Sequence, residues 1–134
     1  TSQKKKLSKK IILERDSSWS KKNDFTNLIL ESELSKNLKD LKINFERSIN
    51  EIFVFGLQGE LLGSSDFTSD YFQGDELKYT EIYFKKKPYL ISPIEFDDST
   101  RNFQVQITLP LKVNNKLVSI VTMGINIEEF FKII

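Results

Sequence analysis

The chain of 134 residues contains no cysteine and no histidine. Without cysteine, no disulfide framework and no thiol nucleophile can form, although a periplasmic location remains permitted. Histidine is the commonest general base and the commonest transition-metal ligand. Its absence leaves an enzyme only carboxylate, lysine, tyrosine or serine chemistry. We therefore expect no enzyme, no metal site and no cofactor.

Net charge and long apolar runs are also scarce. The formal net charge is +1, and the lysine cluster at Lys4–Lys10 lacks the interleaved aromatic residues of nucleic-acid-binding surfaces. We read that cluster as a solvated helix face and expect no nucleic-acid partner. No segment reaches the ~20 consecutive apolar residues that span a bilayer. The longest near-apolar segment, Leu117–Ile127, is interrupted by polar residues and a glycine.

Apolar residues in the first third of the chain recur at intervals of three and four. This spacing predicts one long N-terminal helix with a single apolar stripe, formed by Leu30, Leu34, Leu38, Leu41, Phe45 and Ile49. Asp24 is the expected N-cap of this helix. A weaker helical pattern through Leu7, Ile11 and Trp19 precedes it.

The apolar period then changes to two, which is typical of strands. Ile52–Phe55 is apolar on both faces and predicts a buried strand, with a turn at Gln58-Gly59. Strict alternation over Phe103–Pro110 predicts a half-buried strand. Asn114-Asn115 predicts a hairpin turn into a further strand over Leu117–Ile125.

Helical segments are predicted within and after the sheet. One begins after Gly74, with Asp75 and Glu76 in its first turn, and is followed by a strand over Tyr89–Phe96. Asn126 is expected to cap a terminal helix. The sum is an α+β fold: an antiparallel sheet of about five strands, a long N-terminal helix, and a helix-bearing excursion between strands two and three.

The segment Thr68–Glu76, TSDYFQGDE, is the most specific motif in the chain. Together with the apolar strands on either side and the acidic turn Asp97-Asp98-Ser99, it resembles the Cache family, the PAS-like extracytoplasmic sensor domains of bacterial receptors. The resemblance covers Asn50 to Ile127, and Phe72 stands where many relatives carry tryptophan. It implies a PAS-like sheet and a single-Cache sensor domain.

This resemblance implies the small-molecule-sensing domain of a transmembrane histidine kinase, diguanylate cyclase or chemoreceptor, located in the periplasm or outside the cell. We expect the chain to be a piece of a membrane-anchored receptor. Its parts would be a helical region (1–49), the sheet core (50–127) and an exit helix toward a membrane segment (128–134). The long N-terminal helix exceeds what one sheet face can cover, which predicts a homodimer through this helix in the full receptor.

The candidate ligand-binding residues are aromatic and charged side chains in and around the excursion, because ligand sites are concave and largely aromatic with a few polar groups. They are Asp70, Tyr71, Phe72, Asp75, Tyr79, Tyr89 and Arg101. Other interpretations stay open: the aromatic residues can attach the excursion to the sheet, Asp75 can cap a helix, and Arg101 can pair with Asp97 or Asp98.

Residues 64–101 hold eight acidic and five basic residues. Acidic groups beside aromatic rings favour an amine or amino acid, through ion pairs and cation–π contacts. A small carboxylate is the alternative, and it would need Arg101 or Lys78 turned inward, whereas both are expected to face solvent.

Two other functions are alternatives to the sensor. A dimerisation or protein-interaction module of the same fold, with no small ligand, predicts a pocket filled by the protein's own side chains. A hydrolase using Asp97 or Asp70 is disfavoured, because no base, nucleophile and oxyanion donors can be assembled around either residue.

Overall fold

The computed structural model of the protein describes residues 6–45 and 47–133. In chain order, these residues form five helices and six strands: α1 (Lys9–Trp19), α2 (Asp24–Leu30), α3 (Glu33–Asn44), β1 (Ile49–Phe55), β2 (Leu61–Ser64), α4 (Leu77–Tyr83), β3 (Leu90–Ile91), β4 (Glu95–Asp97), β5 (Asn102–Val113), β6 (Lys116–Asn126) and α5 (Ile127–Ile133). None of the helices in this part of the chain is both long enough and apolar enough to cross a bilayer.

All strand pairs in the sheet are antiparallel, and the strand order is β2-β1-β6-β5-β3, with the short β4 also pairing with β5. Helix α4 lies in the connection between β2 and β3. The α+β class, the antiparallel sheet and the helix-bearing excursion between strands two and three are therefore confirmed.

The two faces of the sheet carry different helices, because successive residues of a strand point to opposite faces. On one face, Phe53 and Phe55 of β1 belong to the buried cluster that includes Tyr79 and Ile82 of α4. On the other face, Ile52 and Val54 pack in a second cluster with Leu38 of α3. The excursion thus packs in one cluster together with Ile12 and Trp19 of α1, and α3 covers the other face.

The N-terminal helical region differs from the sequence prediction, because it consists of three helices rather than one. Asn23 caps α2 by accepting a hydrogen bond from the Thr26 amide (3.0 Å), so Asp24 is the first helical residue. Ser32 caps α3 in the same way through the Ser35 amide (3.2 Å). Short polar side chains that bond nearby backbone amides favour such helix starts over a continuous helix.

The end of the predicted helical stripe also differs, because α3 ends at Asn44 and Ile49 is the first residue of β1. Helix α4 begins at Leu77, which leaves Asp75 and Glu76 outside it. The strand predicted over Tyr89–Phe96 is divided into β3 and β4. Pro93 lies between these two strands, and a proline has no backbone N–H to donate to the sheet.

Two short-range predictions are confirmed. Asn114 and Asn115 form the β5–β6 turn with φ angles of 52° and 63°, the left-handed region that asparagine tolerates better than most residues. The Oδ1 of Asn126 accepts a hydrogen bond from the Glu128 amide (3.0 Å) at the start of α5.

Candidate functional site

A cavity of about 330 Å³ lies between the excursion and the sheet. The start of α4 forms one wall, the segment from β3 to Pro93 forms another, and β5 provides the floor. Its lining comprises Glu76, Leu77, Lys78, Leu90, Ile91, Ser92, Pro93, Gln106 and Thr108. The volume is at the lower end of the range for ligand sites, so the cavity suits a small molecule.

Lys78 is the cationic group of this cavity. Its side chain is only 14% exposed, and its Nζ donates to the Oε1 of Gln106 (3.0 Å). The same Nζ lies 3.3 Å from the Oε2 of Glu76 and 5.1 Å from the centre of the Phe53 ring. The expectation that Lys78 faces solvent is therefore wrong. The contacts with Gln106 and Phe53 hold its head group over the sheet, and no local sequence pattern indicated these partners.

The floor of the cavity carries two separate groups of hydrogen-bonded polar residues. Gln106 donates from Nε2 to Glu51 Oε1 (3.3 Å), and its backbone amide donates to the Oγ of Ser92 (2.8 Å). The hydroxyls of Thr108 and Thr122 lie 2.8 Å apart. Burial raises the pKa of Glu51, and the hydrogen bond from Gln106 only partly offsets this effect.

These groups give the cavity both signs of charge. Lys78 can bind a carboxylate and Glu76 can bind an ammonium group, while the Gln106 amide can donate or accept. Apolar side chains of Leu77, Leu90 and Ile91 complete the wall. The arrangement is suited to binding and orienting a small polar molecule.

The buried members of the predicted ligand set lie away from this cavity. Tyr71 is 1% exposed and lines a second, larger groove, in which its hydroxyl accepts a hydrogen bond from Arg15 (3.2 Å). Tyr79 is buried, donates its hydroxyl to the Leu57 carbonyl (2.6 Å) and stacks on Tyr83. Burial raises the pKa of Tyr79 to about 12. Phe72 is half-buried against the main core.

The other four predicted residues, Asp70, Asp75, Tyr89 and Arg101, are exposed. The Arg101 guanidinium lies 5.5 Å from the centre of the Phe96 ring. The Asp97 carboxylate instead accepts hydrogen bonds from the hydroxyls of Ser99 and Thr100, which lower its pKa against the opposing effect of burial. The seven residues do not meet in either the cavity or the larger groove, and their role in ligand contact stays a prediction.

None of the nine described lining residues of the small cavity was in the predicted set, and the missed residues include Lys78, Gln106 and Thr108. A signal for the last two was available, because they lie on the polar face of the alternating strand β5. Lys78 carried no such signal. Within residues 6–45 and 47–133, no group of three or more acidic residues is placed to hold a metal ion.

Comparison with known proteins identifies the fold through solved structures alone, because no family model and no curated protein matches the chain. The sensory domain of the Campylobacter jejuni chemoreceptor Tlp3 matches with a TM-score of 0.57 at 14% identity, over 78% of this chain and 43% of that one. The ligand-binding domain of the Pseudomonas aeruginosa amino-acid chemoreceptor PctC, in complex with GABA, matches with a TM-score of 0.57 at 14% identity, over 92% and 62%.

The sensor domain of the V. cholerae histidine kinase DctB also matches, with a TM-score of 0.51 at 9% identity, over 92% of this chain and 46% of that one. The chain thus spans between two fifths and two thirds of the length of these structures. All three are sensor or ligand-binding domains of receptors, and they share one fold with this chain.

Proposed function

We propose that this chain, whose fold is that of Cache-type sensor domains, is the extracytoplasmic small-molecule-sensing domain of a transmembrane signalling receptor. One observation carries the proposal: the cavity of about 330 Å³ under the excursion contains a mostly buried lysine beside a carboxylate. A protein-interaction module without a ligand would have filled this space with its own side chains. The open cavity therefore favours the sensor over that alternative.

The ligand that fits this cavity best is a small amino acid. Lys78 would bind the α-carboxylate and Glu76 the α-ammonium group, with Gln106 available to either. A simple amine would leave Lys78 facing another cation, and a simple carboxylate would leave Glu76 unused. Structures of Tlp3 with L-valine and of PctC with GABA support an amino acid on the same fold.

A thermal-shift screen of amino acids, amines and small carboxylates tests this proposal. A ligand that binds only the folded state, at 100 times its Kd, contributes about 2.7 kcal/mol. For a chain of this length, that stabilisation corresponds to a rise in melting temperature of about 10 °C. We expect the largest rise with an amino acid.

Lys78→Gln should weaken amino-acid binding at least about tenfold, because a charge-assisted hydrogen bond contributes about 1.5–3 kcal/mol. Lys86→Gln is the matched control, since it removes the same charge from an exposed residue just after α4. If Lys78→Gln and Lys86→Gln bind the amino acid as tightly as the unchanged protein, the cavity is not the ligand site. If no compound in the screen raises the melting temperature, the ligand-free module gains support.

The parent receptor would be anchored in the inner membrane, with this domain in the periplasm or outside the cell. We extend the proposal to a homodimer formed through the N-terminal helical region, as the sequence predicts. Exposed apolar side chains on α1 support this extension: Ile11 is 39% exposed and Leu13 is 48% exposed. These two side chains lie about 200° apart around α1, on either side of the buried Ile12, so the partner surface would contact at least one of them.

A further inference from the structure

A groove of about 980 Å³ crosses the end of the sheet, and among the described residues it shares none of its lining with the small cavity. Arg15 of α1, Phe25 of α2 and Tyr71 lie on one side of it. Another side is formed by four residues of the β5–β6 hairpin, Val113, Lys116, Leu117 and Val118. The proposed sensing mechanism makes no use of this space.

Arg15 is held in the groove with most of its donors available. One guanidinium nitrogen donates to the Tyr71 hydroxyl (3.2 Å), and the group lies 4.2 Å from the centre of the Phe25 ring. Among the residues that the structure describes, no carboxylate lies within ion-pair distance of Arg15. The neighbouring Asp16 is engaged elsewhere, because it accepts hydrogen bonds from the Tyr71 and Phe72 amides (3.1 and 2.9 Å).

The charged lining of the groove is mainly positive. In the described part of the chain, Lys6, Arg15 and Lys116 face a single acidic lining residue, Glu60. The Oε1 of Glu60 accepts a hydrogen bond from the Gln58 amide (3.1 Å), so this carboxylate is partly committed to the β1–β2 turn. An anionic ligand group would therefore meet a favourable potential beside Arg15.

The remainder of the groove is apolar, with side chains that include Ile29, Leu57, Leu61 and Leu117. Its wall near Leu7 is fixed by Gln58. The Leu7 amide donates to Oε1 of Gln58 (3.0 Å), and Nε2 of Gln58 donates to the Leu7 carbonyl (2.7 Å). An apolar trough with a guanidinium and a phenol at one end complements a molecule that is apolar except for one anionic group.

We propose that this groove is a second ligand site, which binds an amphipathic carboxylic acid of the medium-chain fatty-acid class. The Arg15 guanidinium binds the carboxylate, and the Tyr71 hydroxyl donates a hydrogen bond to it. The hydrocarbon chain lies along the apolar wall. A planar guanidinium matches both oxygens of a carboxylate, which a lysine does not. The site is independent of the amino-acid cavity at Lys78.

The single tryptophan of the chain makes the test direct. The Trp19 ring lies 5.6 Å from the Tyr71 ring and 6.4 Å from the Phe25 ring, so its fluorescence should respond to occupation of the groove. Titration with decanoate should give a saturable change. We expect 1-decanol, which has the same chain without the charge, to bind at least tenfold more weakly.

Arg15→Gln should weaken decanoate binding at least tenfold. Lys10→Gln is the matched control, because it removes one positive charge from an exposed position on the same helix and should leave the affinity unchanged. Lys78→Gln, in the other cavity, should also leave it unchanged, which separates this proposal from the proposed function.

A second variant guards against loss of folding in Arg15→Gln. Val113 is exposed at the edge of the groove, and Val113→Phe should obstruct the space without removing a core side chain or adding a second tryptophan. Its circular dichroism should match the unchanged protein while decanoate binding falls at least tenfold. The proposal is overturned by an absent or non-saturable response, by equal affinity for decanol, or by full binding in a folded Val113→Phe protein.

Discussion

Replacement of Ser35 by alanine should destabilise the protein by removing one oxygen atom. The Ser35 Oγ accepts a hydrogen bond from the Ser64 amide (2.9 Å) and donates to the Ile29 carbonyl (2.6 Å). Ser35 and Ser64 are both 0% exposed. This hydroxyl therefore joins the α2–α3 junction to the outer edge of β2.

The cost arises mainly at the Ser64 amide. In Ser35→Ala this donor stays buried but loses the acceptor that the structure gives it, and an unsatisfied buried donor costs about 1–3 kcal/mol. The Ile29 carbonyl is affected less, because it still accepts from the Ser32 hydroxyl (2.8 Å). A loss of about 2 kcal/mol corresponds to a fall in melting temperature of about 7 °C for a chain of this length.

Urea unfolding and calorimetry measure this loss. Ser17→Ala is the matched control, because Ser17 is an exposed serine of α1 whose hydroxyl donates to the Glu14 carbonyl of the same helix. We expect that control to stay within about 0.5 kcal/mol of the unchanged protein. A similarly small effect of Ser35→Ala would refute the reasoning, since it would mean that water or a backbone shift satisfies the Ser64 amide.

Two further predictions concern pH and assembly. Burial raises the pKa of Glu51, so the folded state holds this proton more tightly than the unfolded state. The favourable contribution of Glu51 to the free energy of unfolding is complete below the ordinary glutamate pKa, and it is lost as pH rises through the raised pKa of the folded state. Glu51→Gln should therefore stabilise the protein at pH 7 and flatten this part of the unfolding-versus-pH profile, whereas an unchanged profile would contradict it. For assembly, single cysteines can be placed along residues 7–30 of the membrane-embedded receptor, because the chain has no cysteine of its own. They should crosslink with helical periodicity; uniform crosslinking would exclude a helical dimer contact.

Much of the sheet could be predicted from sequence because its signals are local. The alternation over Phe103–Pro110 separates the two faces of β5, but the face toward α4 is the polar one, on which Gln104 and Thr108 are buried. The asparagine pair that follows supplies the turn. The division of the helical region was missed, although its signals were also local. The side chains of Asn23 and Ser32 each accept a hydrogen bond from the amide three residues further along the chain, which marks the start of a helix. The continuous apolar stripe nevertheless suggested one helix.

The binding surfaces depended on contacts between distant segments. Lys78 faces the cavity because its ammonium group donates a hydrogen bond to Gln106 and lies over the Phe53 ring. Both residues are more than twenty positions away along the chain. The larger groove joins residues from α1 to the β5–β6 hairpin, and of its described lining only Tyr71 was in the predicted set. Periodicity describes one element at a time, so it does not reveal which side chains meet between elements.

The junction between β6 and α5 has a mechanical consequence. Asn126 ends the strand and Ile127 begins the helix, so no flexible residue separates them. Strand β6 is held between β1 and β5, and the Asn126 amide is further tied to the Ser48 carbonyl (2.9 Å). Thr122 of this strand lies beside the small cavity, so a tilt of the strand at Thr122 would rotate α5 together with it. The helix rises about 10 Å over its seven residues, so a small rotation at its first residue becomes a larger displacement at its last.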